Sequence, residues 1–344
     1  KVIYDRTAPS DFTLGAVISS GGNIIENVWN LTNIGLEIIV PIENDTTLKN
    51  GWVQTRAKIG SNSFENLGTI SSIAQENIGG TKILIYDATQ IESITGFTEN
   101  ETITLDAILY DRPGNMKNGI ESINILEIDQ IPASIFYRSY KSNFSDTTLA
   151  AVGDQILLEI KSNEAIQEPS ITIASNPAAV VDNGGNNWSA SYTMQDGDSD
   201  GIIPFEIGVV TDSKGNPNSG VISTTTNSSV VIFDNTKPLL NIVRIISNNS
   251  DSTWAKIGDS ISVTFKSNEL LTQSSASISI ESAELTLLSS QKYVAKYLMQ
   301  SLDAEGDIPF AINFTDSVGL ALSLIHISEP TRPRLISYAV FCLK

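Results

Sequence analysis

Carboxylates are the side chains through which this chain could do chemistry. Asp and Glu number 39 against 21 Lys and Arg, for a formal net charge of −18, and the 344 residues hold one His and one Cys. The densest acidic motif is Asp196-Gly197-Asp198-Ser199-Asp200-Gly201. Acids at alternate positions ahead of a glycine are the oxygen donors that begin an EF-hand calcium loop. The distal bidentate Glu of such a loop is missing, with Ile207 in its place, and the motif sits between strand patterns, so it is not an EF-hand. A later stretch, Ser301 to Gly306, keeps Asp303 and Glu305 but loses the first acid. The plainer reading is a solvated acidic turn. Two further sets recur along the chain: Asp129, Glu164 and Asp212, then Asp234, Glu269 and Asp316.

Other chemistries are poorly served. His326 and Cys342 lie in the last 23 residues. Leu322–Arg332 resembles the in-frame translation of a sequencing-library transposon end, and Ile336–Leu343 that of the flow-cell adapter that follows it. Residues 322–344 are therefore expected to be adapter read-through on a metagenomic fragment, and they are set aside from fold reasoning. Without them no Ser-His-Asp or Cys-His set and no Cys/His zinc site can be assembled. Gly184-Gly185 reads as a turn before a strand, not as a phosphate-binding loop. A carboxylate pair for glycoside hydrolysis stays open on composition alone. The small, side-chain-filled domains inferred below offer it no obvious cleft, so the expectation is no enzyme activity. The acidity disfavours nucleic acid and anionic membrane surfaces. No apolar run approaches the roughly 20 residues of a membrane-spanning helix. A lack of cysteine outside the tail leaves the compartment open.

The elements that must position the acids repeat. Residues 152–207 align without a gap onto residues 257–312 at a constant offset of 105. Lys161-Ser162-Asn163-Glu164 matches Lys266-Ser267-Asn268-Glu269, and Pro204-Phe205 matches Pro309-Phe310. A period of that length means tandem autonomous domains, not a solenoid of small repeats. Apolar residues alternate with polar ones in Ile156, Leu158, Ile160 and again in Ile261, Val263, Phe265. Period-two runs of this kind between Gly, Asn, Asp and Ser clusters predict an all-β chain of antiparallel β-sandwiches. An Asp shortly before a Pro marks each boundary, at Asp5–Pro9, Asp129–Pro132 and Asp234–Pro238. The expected domains are 1–129 (a longer variant), 130–234, and 235–321, the last without its final strand. The apolar segment Leu335–Cys342 is a candidate to fill that vacant edge. Trp188 and Trp254 are expected to pack; Trp29 and Trp52 have no repeat counterpart and are left open.

In a sandwich, alternate loops lie at opposite poles. The incoming linker, the loop after the second strand and the last hairpin turn should share one pole. Those segments carry Asp129, Glu164 and Asp212 in one domain, and Asp234, Glu269 and Asp316 in the next. The loop of Asp196, Asp198 and Asp200 should lie at the other pole, facing the second junction. Acids gathered at that density repel, and a hard cation such as calcium would relieve the repulsion. The plainer alternative is that Asp129 and Asp234 cap turns and Glu164 is solvated.

The Asp-x-Thr-x-Pro linker, the Gly153-Asp154 opening, the Ser-Asn-Glu loop, the Trp188-x-Ala190-x-Tyr192 strand and the Asp212-x-x-Gly215-Asn216 turn are similar to bacterial immunoglobulin-like repeats. These are the Big and cadherin-like repeats of large surface adhesins and biofilm-associated proteins. The resemblance covers essentially all of the chain ahead of the tail. It implies a tandem immunoglobulin-like stalk of a secreted or cell-surface bacterial protein, monomeric beads on a string, with calcium at the junctions. Its partner, a glycan or protein ligand, would be met through other parts of the molecule. Two alternatives remain open: accessory modules of a secreted enzyme, and a glycan- or protein-binding module carried by the first domain.

Overall fold

The computed structural model describes residues 2–326. Strand follows strand, interrupted by one short α-helix, Ala88–Glu92, and two single helical turns. The alternation read from the sequence is the alternation of burial. In Gln155–Ser162 the residues Ile156, Leu158, Ile160 and Ser162 are buried and those between them face outward. Ser260–Ser267 repeats the pattern with Ile261, Val263, Phe265 and Ser267.

Three separate apolar cores define three units. In the second unit, one antiparallel sheet orders Ile135–Ser142, Gln155–Ser162, Asn187–Thr193 and Ala179–Gly184. The facing layer orders Asn176–Pro177, Ile171–Ile173 and Phe205–Ile207, and a bridge from Ile207 to Ile222 brings in the last strand region. The third unit repeats this with Leu240–Ser247, Ser260–Ser267, Lys292–Leu298 and Glu284–Ser289 over Glu281–Ser282, Gln273–Ile278, Phe310–Thr315 and Ala321–His326. Strands one, two, five and four in one sheet against three, six and seven in the other is the constant-type immunoglobulin arrangement. The sequence offset survives as register: Ile156 pairs with Tyr192, and Ile261 with Tyr297.

The first unit follows the same plan with longer strands. Val17–Ser20, Gly35–Ile42 and Gly80–Asp87 face a sheet ordered Val28–Asn30, Leu126–Asp129, Thr102–Tyr110, Trp52–Ile59 and Glu65–Asn66. Trp29 is fully buried in its core, and Trp52 stacks on Tyr110 with ring centroids 5.3 Å apart. In both of the first two units the final strand pairs in parallel with an early one, Leu126–Asp129 with Val28–Asn30 and Ile232–Phe233 with Leu149–Ala150. This pairing carries each linker aspartate to the pole where the next unit begins.

The third unit differs from expectation at its C-terminal edge. Ala321–His326 forms a strand against Phe310–Thr315, so Leu322–His326 does not stand apart from the fold. Leu324 is buried in the core, Leu322 packs against it, and His326 stacks on Phe310. Alternating apolar side chains suit an open sheet edge whatever their origin. Leu335–Cys342, expected as the filler of that edge, lies outside the described residues. Trp188 packs against its core as expected, but Trp254 is 70% exposed. Its counterpart Leu149 is held by pairing to Ile232, and among the described residues the third unit has no strand matching Ile232–Phe233.

Candidate metal centres at the unit junctions

Each carboxylate is placed by local chemistry that the sequence repeats. The Asp-x-x-Gly turns are held by their own aspartates. Asp212 Oδ1 accepts the backbone N–H groups of Lys214 and Asn216, each at 2.9 Å. Asp316 Oδ1 accepts those of Val318 at 3.0 Å and Leu320 at 2.9 Å. Asp111 does the same in the first unit with Gly114 and Asn115. Gly215 and Gly319 have φ of 99° and 88°, a left-handed conformation that glycine adopts without strain. The turn backbone thus occupies one oxygen of each aspartate; the other accepts the Asn115 or Asn216 side-chain amide in the first two turns and has no hydrogen-bond partner in the third. The Ser-Asn-Glu loops are pinned as well. Ser162 Oγ donates to the Glu164 carbonyl at 2.5 Å, and Asn163 Oδ1 accepts the Ser134 N–H at 2.6 Å. Ser267 and Asn268 make the same bonds to Glu269 and Leu239. The loop is thus tied to the chain just past the linker, beside the linker aspartate.

The result is convergence. Asp129, Glu164 and Asp212 place carboxylate oxygens within 4.8 Å of one another, and so do Asp234, Glu269 and Asp316. Crowding shows in the electrostatics. Burial, then the charges of Asp234, Asp316 and Asp200, pushes Glu269 up to about 7. Burial, then Asp212 and Asp129, raises Glu164. Burial, then Asp212 and Glu99, raises Asp129, with Lys214 pulling the other way. Burial is the main reason that Asp316 is raised.

The donor set is all oxygen and mostly anionic, which selects hard cations over thiolate- or imidazole-seeking ones. Oxygens bound to one calcium at its usual 2.3–2.6 Å lie at most about 5 Å apart, so a spread of 4.8 Å can be bridged. At the second junction a further feature fits a cation. Asp316 is 1% exposed, and its Oδ2 has no hydrogen-bond partner. If calcium binds there, Asp234, Glu269 and Asp316 would hold it.

The acidic loop 196–201 divides. Asp200 and Asp196 face the second junction: Asp200 Oδ1 accepts the Asn235 N–H at 2.7 Å, and Asp196 Oδ1 accepts from Asn235 Nδ2 at 2.8 Å. Neither belongs to the three-carboxylate group there. Asp198 turns into its own unit, where it accepts from Gln195 N at 2.7 Å, Tyr192 Oη at 3.2 Å and Asn176 Nδ2 at 3.2 Å. Asp303 repeats this with Gln300 and Tyr297, so that aspartate is a turn cap. Glu99 escaped the sequence reading. Its Oε2 accepts the Gln130 N–H at 2.9 Å, which is the bond that Asp200 makes with Asn235 one junction later. The signal was faint because the first unit does not align with the repeats.

The fold and site define a class: tandem immunoglobulin-type sandwiches with acidic junctions. No protein-family model and no curated protein sequence matches the chain. Among solved structures, one concerning host cell surface retention of a 1.5-MDa bacterial ice-binding adhesin shares 14% identity over 86% of this chain and 91% of its own, with a TM-score of 0.42. The I9–I11 tandem of titin shares 8% identity over 90% of this chain and 98% of its own, with a TM-score of 0.27. The SGBP-B protein of the Bacteroides ovatus mixed-linkage glucan utilization locus, in complex with a heptasaccharide, shares 13% over 78% of this chain and 56% of its own, with a TM-score of 0.17. At such identities and scores these likenesses carry no functional argument; the strand order rests on the residues described above.

Proposed function

We propose that the chain is a non-catalytic spacer segment of a large extracellular or bacterial cell-surface protein of adhesin type, in which calcium at the unit junctions sets stiffness. One observation carries this reading. Two successive junctions each gather three carboxylates from a linker, a Ser-Asn-Glu loop and an Asp-x-x-Gly turn, all supplied by repeated sequence. The work of such a chain is geometric: it fixes the distance and angle between whatever lies at its ends. Packed cores and the burial of Trp29 favour spacing over a ligand platform in the first unit. Among the described residues no helix is long and apolar enough to cross a membrane.

The test is thermal unfolding and small-angle scattering of the whole chain in chelator and in millimolar calcium. A ligand that binds only the folded form raises its melting temperature. Calcium should raise the melt by several degrees and narrow the distribution of particle lengths. An unchanged melt and an unchanged scattering curve would defeat the calcium reading.

A further inference from the structure

The two junctions carry matching carboxylates and differ in what opposes them. At the first, Asn216 Nδ2 donates to Asp129 Oδ1 at 2.9 Å and to Asp212 Oδ2 at 3.0 Å, so a side-chain amide ties the linker to the turn. The same side chain reaches into the first unit, its Oδ1 accepting the Leu31 N–H at 2.7 Å. Asn23 Nδ2 and Asn30 Nδ2 donate to the carbonyls of Gly215 and Lys214, each at 2.8 Å. Lys214 Nζ pairs with Glu127 across the same boundary.

At the second junction the positions of Lys214 and Asn216 are taken by Val318 and Leu320. Neither side chain can donate. Asp316 Oδ2 is buried without a partner, and a buried carboxylate oxygen with no donor is unfavourable. Among the described residues no hydrogen bond or ion pair joins the turn Asp316–Leu320 to the second unit. With neither donor present, Asp316 Oδ2 meets no amide or ammonium among the described residues, and a cation would complement the three carboxylates.

We propose that the joints are of two kinds: the first is latched by the Asn216 amide and Lys214 and needs no metal, whereas the second is the cation-dependent joint, closing on calcium through Asp234, Glu269 and Asp316. This rests on the reading that junction carboxylates hold calcium and narrows it from both junctions to the second. Calcium withdrawal then loosens the third unit from the second while the first two stay docked.

The experiment is calorimetric titration of chelator-stripped full-length chain with calcium chloride. One strong site per chain is expected, lost in Asp316→Asn and retained in Asp129→Asn. Leu320→Asn, which installs the residue that the first junction already carries at this half-buried turn position, should weaken binding roughly tenfold or more. Asn216→Leu should add a second site. Two equal sites in the unaltered chain, or one site lost in Asp129→Asn but retained in Asp316→Asn, overturns the asymmetry and leaves junctional calcium standing. No binding up to millimolar calcium overturns both. Should Asp316→Asn fail to fold, the Leu320→Asn affinity decides: an unweakened site defeats the proposal.

Discussion

The first and second junctions are built on one skeleton and finished differently. Both have a linker aspartate, a clamped Ser-Asn-Glu loop, an aspartate-capped turn and a carboxylate from the preceding unit, Glu99 or Asp200, on the next linker N–H. Two positions inside the turn separate them. Lys214 and Asn216 supply a cation and an amide; Val318 and Leu320 supply neither. A repeat can thus copy its fold faithfully while its joints diverge, because the turn is held by backbone bonds to Asp212 or Asp316 whatever the intervening side chains are.

The largest expected contrast comes from one substitution made at both joints. Asp212→Asn removes the acceptor of one of the two Asn216 Nδ2 hydrogens, at a residue with 0% exposure, while the bond to Asp129 remains; leaving that buried N–H unpaired costs about 1–3 kcal/mol. Asp316→Asn replaces an unpartnered oxygen by an amide facing Asp234 and Glu269, so in chelator it should be neutral or stabilising. Denaturant melts of the two variants in chelator check this; equal losses would erase the distinction. A smaller contrast comes from the turn glycines. A Cβ at Gly215 would meet Asn30 Nδ2 at 2.6 Å, whereas one at Gly319 has nothing within 4 Å. Both alanine variants carry a left-handed backbone cost of about 1–2 kcal/mol, and Gly215→Ala should add undocking of the first unit, read as new proteolytic cleavage near residue 130.

The triads were legible because loop alternation in a sandwich is a topological rule and the repeats fixed the register. The fold was legible for the same reason, from Ile156, Leu158 and Ile160 and their copies. Glu99 was not, since the first unit shares no register with the loop 196–201. Asp198 looked like a ligand because its Tyr192 partner is six residues away in sequence and only the hairpin brings them together. Trp254 looked like a core residue because its packing depends on a strand far along the chain. The Lys214 and Asn216 differences stood in plain view, but their meaning needed the docked face of the first unit.

Acidity gives the smallest effect. Glu269 is held up to about 7 from an ordinary 4.5, so the folded chain binds its proton more tightly than the unfolded chain does. In chelator the third unit should therefore melt lower at about pH 7.5 than at about pH 5.5, by a modest amount because the side chain is partly solvated. Calcium should reverse the slope, since ion and proton compete for the same oxygen. A chelator slope of the opposite sign would show that the cluster is not crowded.

The parallel pairing of each final strand with an early one has a consequence under load. A pull applied through the linkers draws Leu126–Asp129 and Val28–Asn30 in opposite senses along their shared axis, and does the same to Ile232–Phe233 against Leu149–Ala150. The hydrogen bonds across each pair then bear the force together in shear, whereas those of a peeled hairpin break in succession. The strands that lead to Asp129 and Asp234 at the joints are thus also the clamps that would resist extension of the chain.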